Sequence, residues 1–276
     1  MEENVIRCDA HLHTSFSTDS DTAAEHMMET AVLRGLKAAC ITDHLDLDFP
    51  FYEDLGEHAF EIDIETYFQK LNALRQKYEQ KLQVRIGVEL GLQPHLSDTY
   101  RKLTANYPFD FVIGSVHLVQ GKDPYYREAF GEISDGELYR AAFETTLENV
   151  SAADCFDVLG HLDYVVRYGR EQAKGYSYMK YADILDEILR VIIEKGKGLE
   201  LNTAGFKYGL EFCNPHPDIL RRYRELRGEI VTVGSDAHQP EYIAWKFAKA
   251  AEILKDCGFR YYAEFESRRP QFHKIG

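Results

Sequence analysis

Cysteine is scarce in this chain and shows no pattern. Five occur among 276 residues, at Cys8, Cys40, Cys155, Cys213 and Cys257. No two form a C-x-x-C pair, which excludes a thiolate zinc knuckle or a dithiol redox motif. An odd, scattered set reads as the reduced core thiols of a cytoplasmic protein. Long apolar runs are missing as well. No stretch could cross a bilayer, and the N-terminus, with Glu2 and Glu3, lacks the apolar centre of a signal peptide. Basic residues are the minority, 32 against 46 acidic ones, for a formal net charge of -14. Such a surface repels phosphate backbones and argues against general nucleic-acid binding. Bound divalent ions can still reverse the sign inside one pocket. There is no low-complexity linker and no internal repeat. With 45% hydrophobic and 28% charged residues, residues 1–276 are expected to form one globular domain with a large core.

Short apolar, β-branched runs alternate with longer amphipathic stretches. Strands are expected at 5–9, 38–42, 84–89, 109–115, 156–160, 198–202 and 230–234. Helices are expected at 22–36, 62–81, 135–153, 177–195, 217–227 and 242–256, from apolar residues at helical spacing; Gly258 stops the last of these. Residues 261–265 are an eighth candidate strand. Alternation of this kind implies a parallel sheet with helices outside it. Seven units without a charged interior strand point to a closed or nearly closed barrel, although a doubly wound sheet gives a similar pattern.

Metal-binding residue types recur at the strand ends. The first strand is followed by His11 and His13, the second by Asp43 and His44. The third ends at Glu89. His117 follows the fourth, His161 the fifth, and Asp236 and His238 the seventh; the sixth ends in Glu200 and Asn202. Parallel strands place their C-terminal ends on one face, where barrels carry active sites. Imidazole and carboxylate suit zinc, iron or manganese. Taken singly, each residue has a plainer reading. An isolated H-x-H is more often a surface or core pair, Asp19 reads as a turn or N-cap residue, and a strand-end histidine is usually a satisfied hydrogen-bonding group. Six of the eleven histidines fall at strand ends, however, and the plain readings would have to hold at every one. Asp9 is placed to orient a ligand from behind.

The order of Asp9-x-His11-x-His13, Thr42-Asp43-His44, Gly87-Val88-Glu89, Ser115-Val116-His117, Gly160-His161-Leu162-Asp163 and Gly234-Ser235-Asp236-Ala237-His238 resembles the polymerase and histidinol phosphatase (PHP) superfamily over nearly the whole chain. The segments 111–119 and 199–205 look like its histidinol-phosphatase branch. The resemblance implies a distorted (βα)7 TIM-like barrel with its active site at the C-terminal strand ends, and two to three divalent ions (zinc, manganese or iron). One ion would take His11, His13, Glu89 and Asp236. A second would take Asp19, His44 and His238, and a third His117 and His161 while sharing Glu89. Some relatives carry histidine where this chain has Asp19, which leaves the preferred metal open.

The expected chemistry is hydrolysis of a phosphomonoester, by attack on phosphorus of a hydroxide bridging paired ions. The branch implies L-histidinol phosphate as substrate, in histidine biosynthesis. Arg167 is the first candidate for the phosphate, because its planar fork suits phosphoryl oxygens; Lys207 is the second. Asp236 and His238 are the candidates for relaying a proton to the leaving group, though ligands to a metal make poor acids. Asp163 and Glu200 are weighed as acids near the mouth that attract the substrate's amine and imidazole, against a packing role. The alternatives are a phosphoesterase acting on another small phosphate or phosphotyrosine, and a catalytically idle metal-binding module. The expected partner is a small phosphorylated metabolite rather than nucleic acid or membrane. Oligomeric state is left open.

Overall fold

The computed structural model describes residues 6–276. Eight strands form the main sheet: β1 (Cys8–Leu12), β2 (Ala38–Ile41), β3 (His44–Leu45), β4 (Gln83–Gly91), β5 (Phe111–Ser115), β6 (Val158–Leu159), β7 (Gly198–Asn202) and β8 (Val231–Gly234). Seven lie in the order β1-β2-β4-β5-β6-β7-β8, every neighbour parallel. Short β3 prolongs β2 along β4, pairing His44 with Glu89 after Ile41 has paired with Ile86. The edges then meet at the C-terminal end. Asp236 donates its N–H to the His11 carbonyl (2.9 Å), and His13 donates to Ala237 (3.0 Å). A nearly closed barrel results.

The strands are buried along almost their whole length, as strands covered by helices on one side and filled by side chains on the other must be. The helices are α1 (Ala24–Leu33), α2 (Ile64–Tyr78), α3 (Ser97–Asn106), α4 (Asp135–Ala152), α5 (Ala182–Glu194), α6 (Ala204–Lys207), α7 (Pro217–Glu225) and α8 (Phe247–Asp256). In α5 the buried residues Leu185, Ile188, Leu189 and Ile192 make one apolar stripe at helical spacing. Asp63 caps α2, and Ser134 with Glu137 forms a reciprocal capping box on α4. No helix among the described residues is long and apolar enough to cross a membrane. All five cysteines are buried and unpaired.

Several expectations need correction. Val5, where the first strand was expected to begin, lies outside the described residues. That strand runs Cys8–Leu12, so His11 is inside it rather than beyond it. The expected eighth strand exists, but it belongs to a separate antiparallel hairpin, β9 (Tyr261–Glu266) with β10 (Arg269–Lys274). The interior is not free of charge. Arg85 of β4 is buried and bonds Glu264 of β9 at 2.9 Å. Helix α3 and strand β10 were not foreseen.

Candidate metal centre

Strand parity brings the histidine pair together. His11 and His13 are two apart in extended chain, so both side chains leave the same face. Their Nε2 atoms lie 3.0 Å apart. Each Nδ1 is already committed. His11 donates to Glu200 Oε1 (2.6 Å), and His13 donates to Ser17 Oγ (3.1 Å), whose own proton goes to Asp43 (2.7 Å). With Nδ1–H spent, both Nε2 atoms present lone pairs to one point. A shared proton or a metal ion between them reconciles two nitrogens at this distance.

Glu89 stands at the middle, fully buried and two residues before the end of β4, which outruns the strand end expected at Glu89. Its two oxygens face different neighbours. Oε1 accepts from Ser115 Oγ (2.6 Å) and lies 2.8 Å from His161 Nε2 and 3.2 Å from His117 Nε2. Oε2 lies 3.0 Å from His44 Nδ1, 3.3 Å from His11 Nε2 and 3.5 Å from His13 Nε2. Oε2 and His44 Nδ1 are both buried without a hydrogen-bond partner, a cost that folded proteins rarely leave unmet. A divalent ion is the group that would satisfy both.

Asp236 comes from the turn after β8 and adopts a left-handed backbone, φ 54°, which is strained for a non-glycine residue and typical of functional sites. Its Oδ1 lies 3.2 Å from His13 Nε2 and 3.7 Å from His11 Nε2. Asp9 holds this turn from below, accepting from the N–H of Ser235 and of Ala244 and from Ser235 Oγ. Burial pushes the Asp9 carboxyl up to about 6, against the pull of those bonds. On the outer side, Asp19 Oδ2 lies 3.0 Å from His238 Nε2 and 3.7 Å from His44 Nε2. The rings of His44 and His238 stack on His13 at 4.2 and 4.1 Å.

The electrostatics suit cations. Burial and the neighbouring imidazoles of His238 and His44 hold His13 well below the usual histidine range, so it stays neutral with a free lone pair. Burial works against the charge of Glu89 and Asp236, but the surrounding histidines, His11 foremost, keep both carboxyls well below their ordinary values. Burial also works against charge on His11, His44 and His117, but the carboxylates raise all three, His44 to about 9, so a bound ion would take the place of their protons. Imidazoles and ionised carboxylates without thiolates form a donor set for zinc, manganese or iron. All nine residues expected as ligands are thus gathered at one rim, in overlapping groups such as His11–His13–Glu89, His13–His44–His238 and Glu89–His117–His161.

A cavity of about 470 Å³ opens above this cluster, lined on its metal side by Asp19, His44, His117, His161, Asp236 and His238. Arg167 lines it too. Its guanidinium carbon sits 4.2 Å from the Tyr208 ring centre, 4.8 Å from Tyr168 and 5.0 Å from Tyr164. Nη2 donates to Tyr168 Oη (2.7 Å), Nε is buried without a partner, and no carboxylate pairs with it among the described residues. Lys207 has its ammonium 5.3 Å from the Tyr208 ring and 4.2 Å from the Tyr242 ring and does not line the cavity; burial lowers its pKa.

Asp163 and Glu200 are not at the mouth. Asp163 is buried and fully engaged by Asn214, Tyr176 and the N–H of His216. Glu200 is equally buried, behind His11. One site residue went unread in the sequence. Asp46 accepts from His117 Nδ1 (2.8 Å), which turns that ring's Nε2 inward. Its signal was parity: Asp46 is two residues past His44 in extended chain and shares its face.

Residues 9–204 match the family model described as PHP domain. The chain is 32% identical to the "Probable histidinol-phosphatase" of Clostridium acetobutylicum, over 91% of this chain and 94% of that one. It is 30% identical to the histidinol-phosphatase of Lactococcus lactis, over 95% and 96%. Among solved structures it resembles a histidinol phosphate phosphatase of Lactococcus lactis complexed with zinc, L-histidinol and phosphate. The TM-score is 0.86 at 30% identity, covering 96% of this chain and 98% of that one.

Proposed function

Because the chain belongs to the PHP domain family, and within it to the histidinol-phosphatases, we infer that it hydrolyses L-histidinol phosphate to L-histidinol and phosphate with the help of divalent ions. The observation that carries the reading is Glu89, with one oxygen turned to His117 and His161 and the other to His11, His13 and His44. A carboxylate so placed would offer one oxygen to each of two ions. The full-length relative solved with zinc, L-histidinol and phosphate supports the substrate.

His11, His13, Glu89 and Asp236 would hold one ion, and His44, His238 and Asp19 a second. His117 and His161, with the other oxygen of Glu89, would hold a third. When bound, such ions supply Lewis acidity and lower the pKa of water. The chain's own residues do the rest. Arg167, propped by three tyrosines and lacking a carboxylate partner, offers its fork to the phosphoryl oxygens. Asp236 and His238 line the same cavity. Asp236, held ionised against burial by its histidines, would accept the proton of a bound water rather than donate one, and His238 is the group left to relay it toward the leaving alkoxide. The free, buried cysteines fit a cytoplasmic enzyme, and the single domain expected over 1–276 fits the near full-length match to relatives.

The test is metal analysis of purified protein together with a panel of small phosphate esters. Two or three ions per chain, loss of turnover after chelation with recovery on adding zinc or manganese, and preference for L-histidinol phosphate over an aryl phosphate are expected. Fewer than two ions under metal-replete conditions would defeat the metal assignment. Equal turnover of all esters would defeat the substrate.

A further inference from the structure

Glu200 has no cation of its own. It is 1% exposed on β7, and its only ion-pair partner among the described residues is His11. An uncompensated carboxylate at such depth is strongly unfavourable, so its position calls for an explanation that packing does not provide. Both of its oxygens are spent on the metal cluster. Oε1 takes the Nδ1–H of His11 at 2.6 Å. Oε2 takes the backbone N–H of His161 at 2.9 Å and the Asn202 amide at 3.2 Å. The same amide reaches Asp236 Oδ2 at 3.4 Å. Two glycines leave the room. A Cβ at Gly234 would stand 2.5 Å from Glu200 Oε1, and one at Gly160 would stand 2.4 Å from Ser115 Oγ, which bonds Glu89.

We propose that Glu200 is a positioning residue that ties two metal subsites into one unit, fixing the ring of His11 through one oxygen and the backbone of His161 through the other. The proposal rests on the reading above that His11 and His161 hold ions. A carboxylate on the far nitrogen of a ligating imidazole fixes its tautomer and raises its basicity. Here the carboxylate stands one ring away from the cation whose charge offsets its own, so its burial and metal retention support each other. Because the second oxygen serves a different strand, loss of Glu200 loosens ligands on β1 and after β6 together.

The test uses the full chain loaded with zinc. Wild type, Glu200→Gln and Glu200→Asp are challenged with a chelator, zinc release is followed by a colorimetric indicator, and zinc content is measured by mass spectrometry. Glutamine can still accept from His11, but its amide then faces the donors of His161 and Asn202. Aspartate keeps the charge and shortens the reach. Both variants are expected to hold zinc roughly 10- to 100-fold more weakly. A second readout excludes a merely structural role: the gap in melting temperature between zinc-loaded and chelator-treated protein should narrow, whereas lost packing would lower both forms equally. In a His11→Gln background, Glu200→Gln should add a smaller loss of zinc affinity than it causes in wild type, the remainder being the part carried by His161 through the second oxygen. Unchanged zinc retention in both variants, or equal lowering of both melting temperatures, overturns the proposal while leaving the metal-dependent reading intact. A wild type that binds no divalent ion overturns both.

Discussion

Among single residues, Arg167 is the one whose surroundings point most directly to a ligand. A half-buried guanidinium normally finds a carboxylate, and this one has tyrosine faces and a buried, unpartnered Nε. The rings stabilise the cation without neutralising it, so its hydrogen-bonding edge remains available to an anion. Arg167→Ala is therefore expected to lower kcat/KM by roughly 10²- to 10³-fold, the scale for removing a donor that steadies developing negative charge. Metal content should not change, since Arg167 touches none of the expected ligands. Arg167→Lys should recover only part of the loss, because an ammonium is a point charge without the fork. Steady-state kinetics with metal analysis on the same preparations checks this; unchanged kinetics in Arg167→Ala would remove it from the phosphate site.

At the scale of elements, the site depends on strands approaching more closely than side chains normally allow. Gly234 ends β8 against β1, where a Cβ would stand 2.4 Å from His11 Cβ and 2.5 Å from Glu200 Oε1. These neighbours cannot yield, since one is the stem of a ligand and the other is bonded to it. Gly234→Ala is expected to cost about 1–3 kcal/mol, as overpacking does, and to reduce bound metal, with the chelator-treated protein affected less than the loaded one; thermal melts of both forms read it out. The elements also show what was legible. Strand ends could be read because runs such as Val84–Glu89 switch abruptly from apolar to ligand type, and the side chains at those ends do converge. Helix α3 was not, because between Ser97 and Asn106 only Ser97 and Tyr100 are buried, too few to mark a stripe. Asp46 was hidden because β3 is two residues long and exists only where β4 outruns β2. Glu200 was visible as a strand-end acid, weighed between the mouth and a packing role, since sequence conveys that a residue lies near a rim and not which side of a histidine it occupies.

At the scale of the whole molecule, the barrel has a working end and a sealed end, and the seal is made by the last segment of the chain. The β9–β10 hairpin lies under the barrel. Phe265 stacks on Phe111 at 4.9 Å, the Ser267 N–H reaches Asp110, and Arg268 reaches Asp157. At its centre Glu264 meets Arg85 of β4, both under 10% exposed, with Tyr262 donating to the second carboxylate oxygen at 3.0 Å. A buried pair of this kind gains little over an apolar replacement, yet breaking it leaves an uncompensated charge. Glu264→Ala should therefore destabilise by about 3–5 kcal/mol, and the joint replacement of Arg85 by Met and Glu264 by Leu should recover most of that loss. Because the pair sits at the opposite end of the strands from Glu89 and the histidines, folded Glu264→Ala should keep its metal content and its KM while its denaturation midpoint falls. Denaturant unfolding of Glu264→Ala and of the double variant decides the matter. If Glu264→Ala unfolds at the wild-type midpoint, Arg85 has another way to satisfy its charge and the hairpin is not the seal; if its KM rises in step with its instability, the two ends of the barrel are coupled rather than independent.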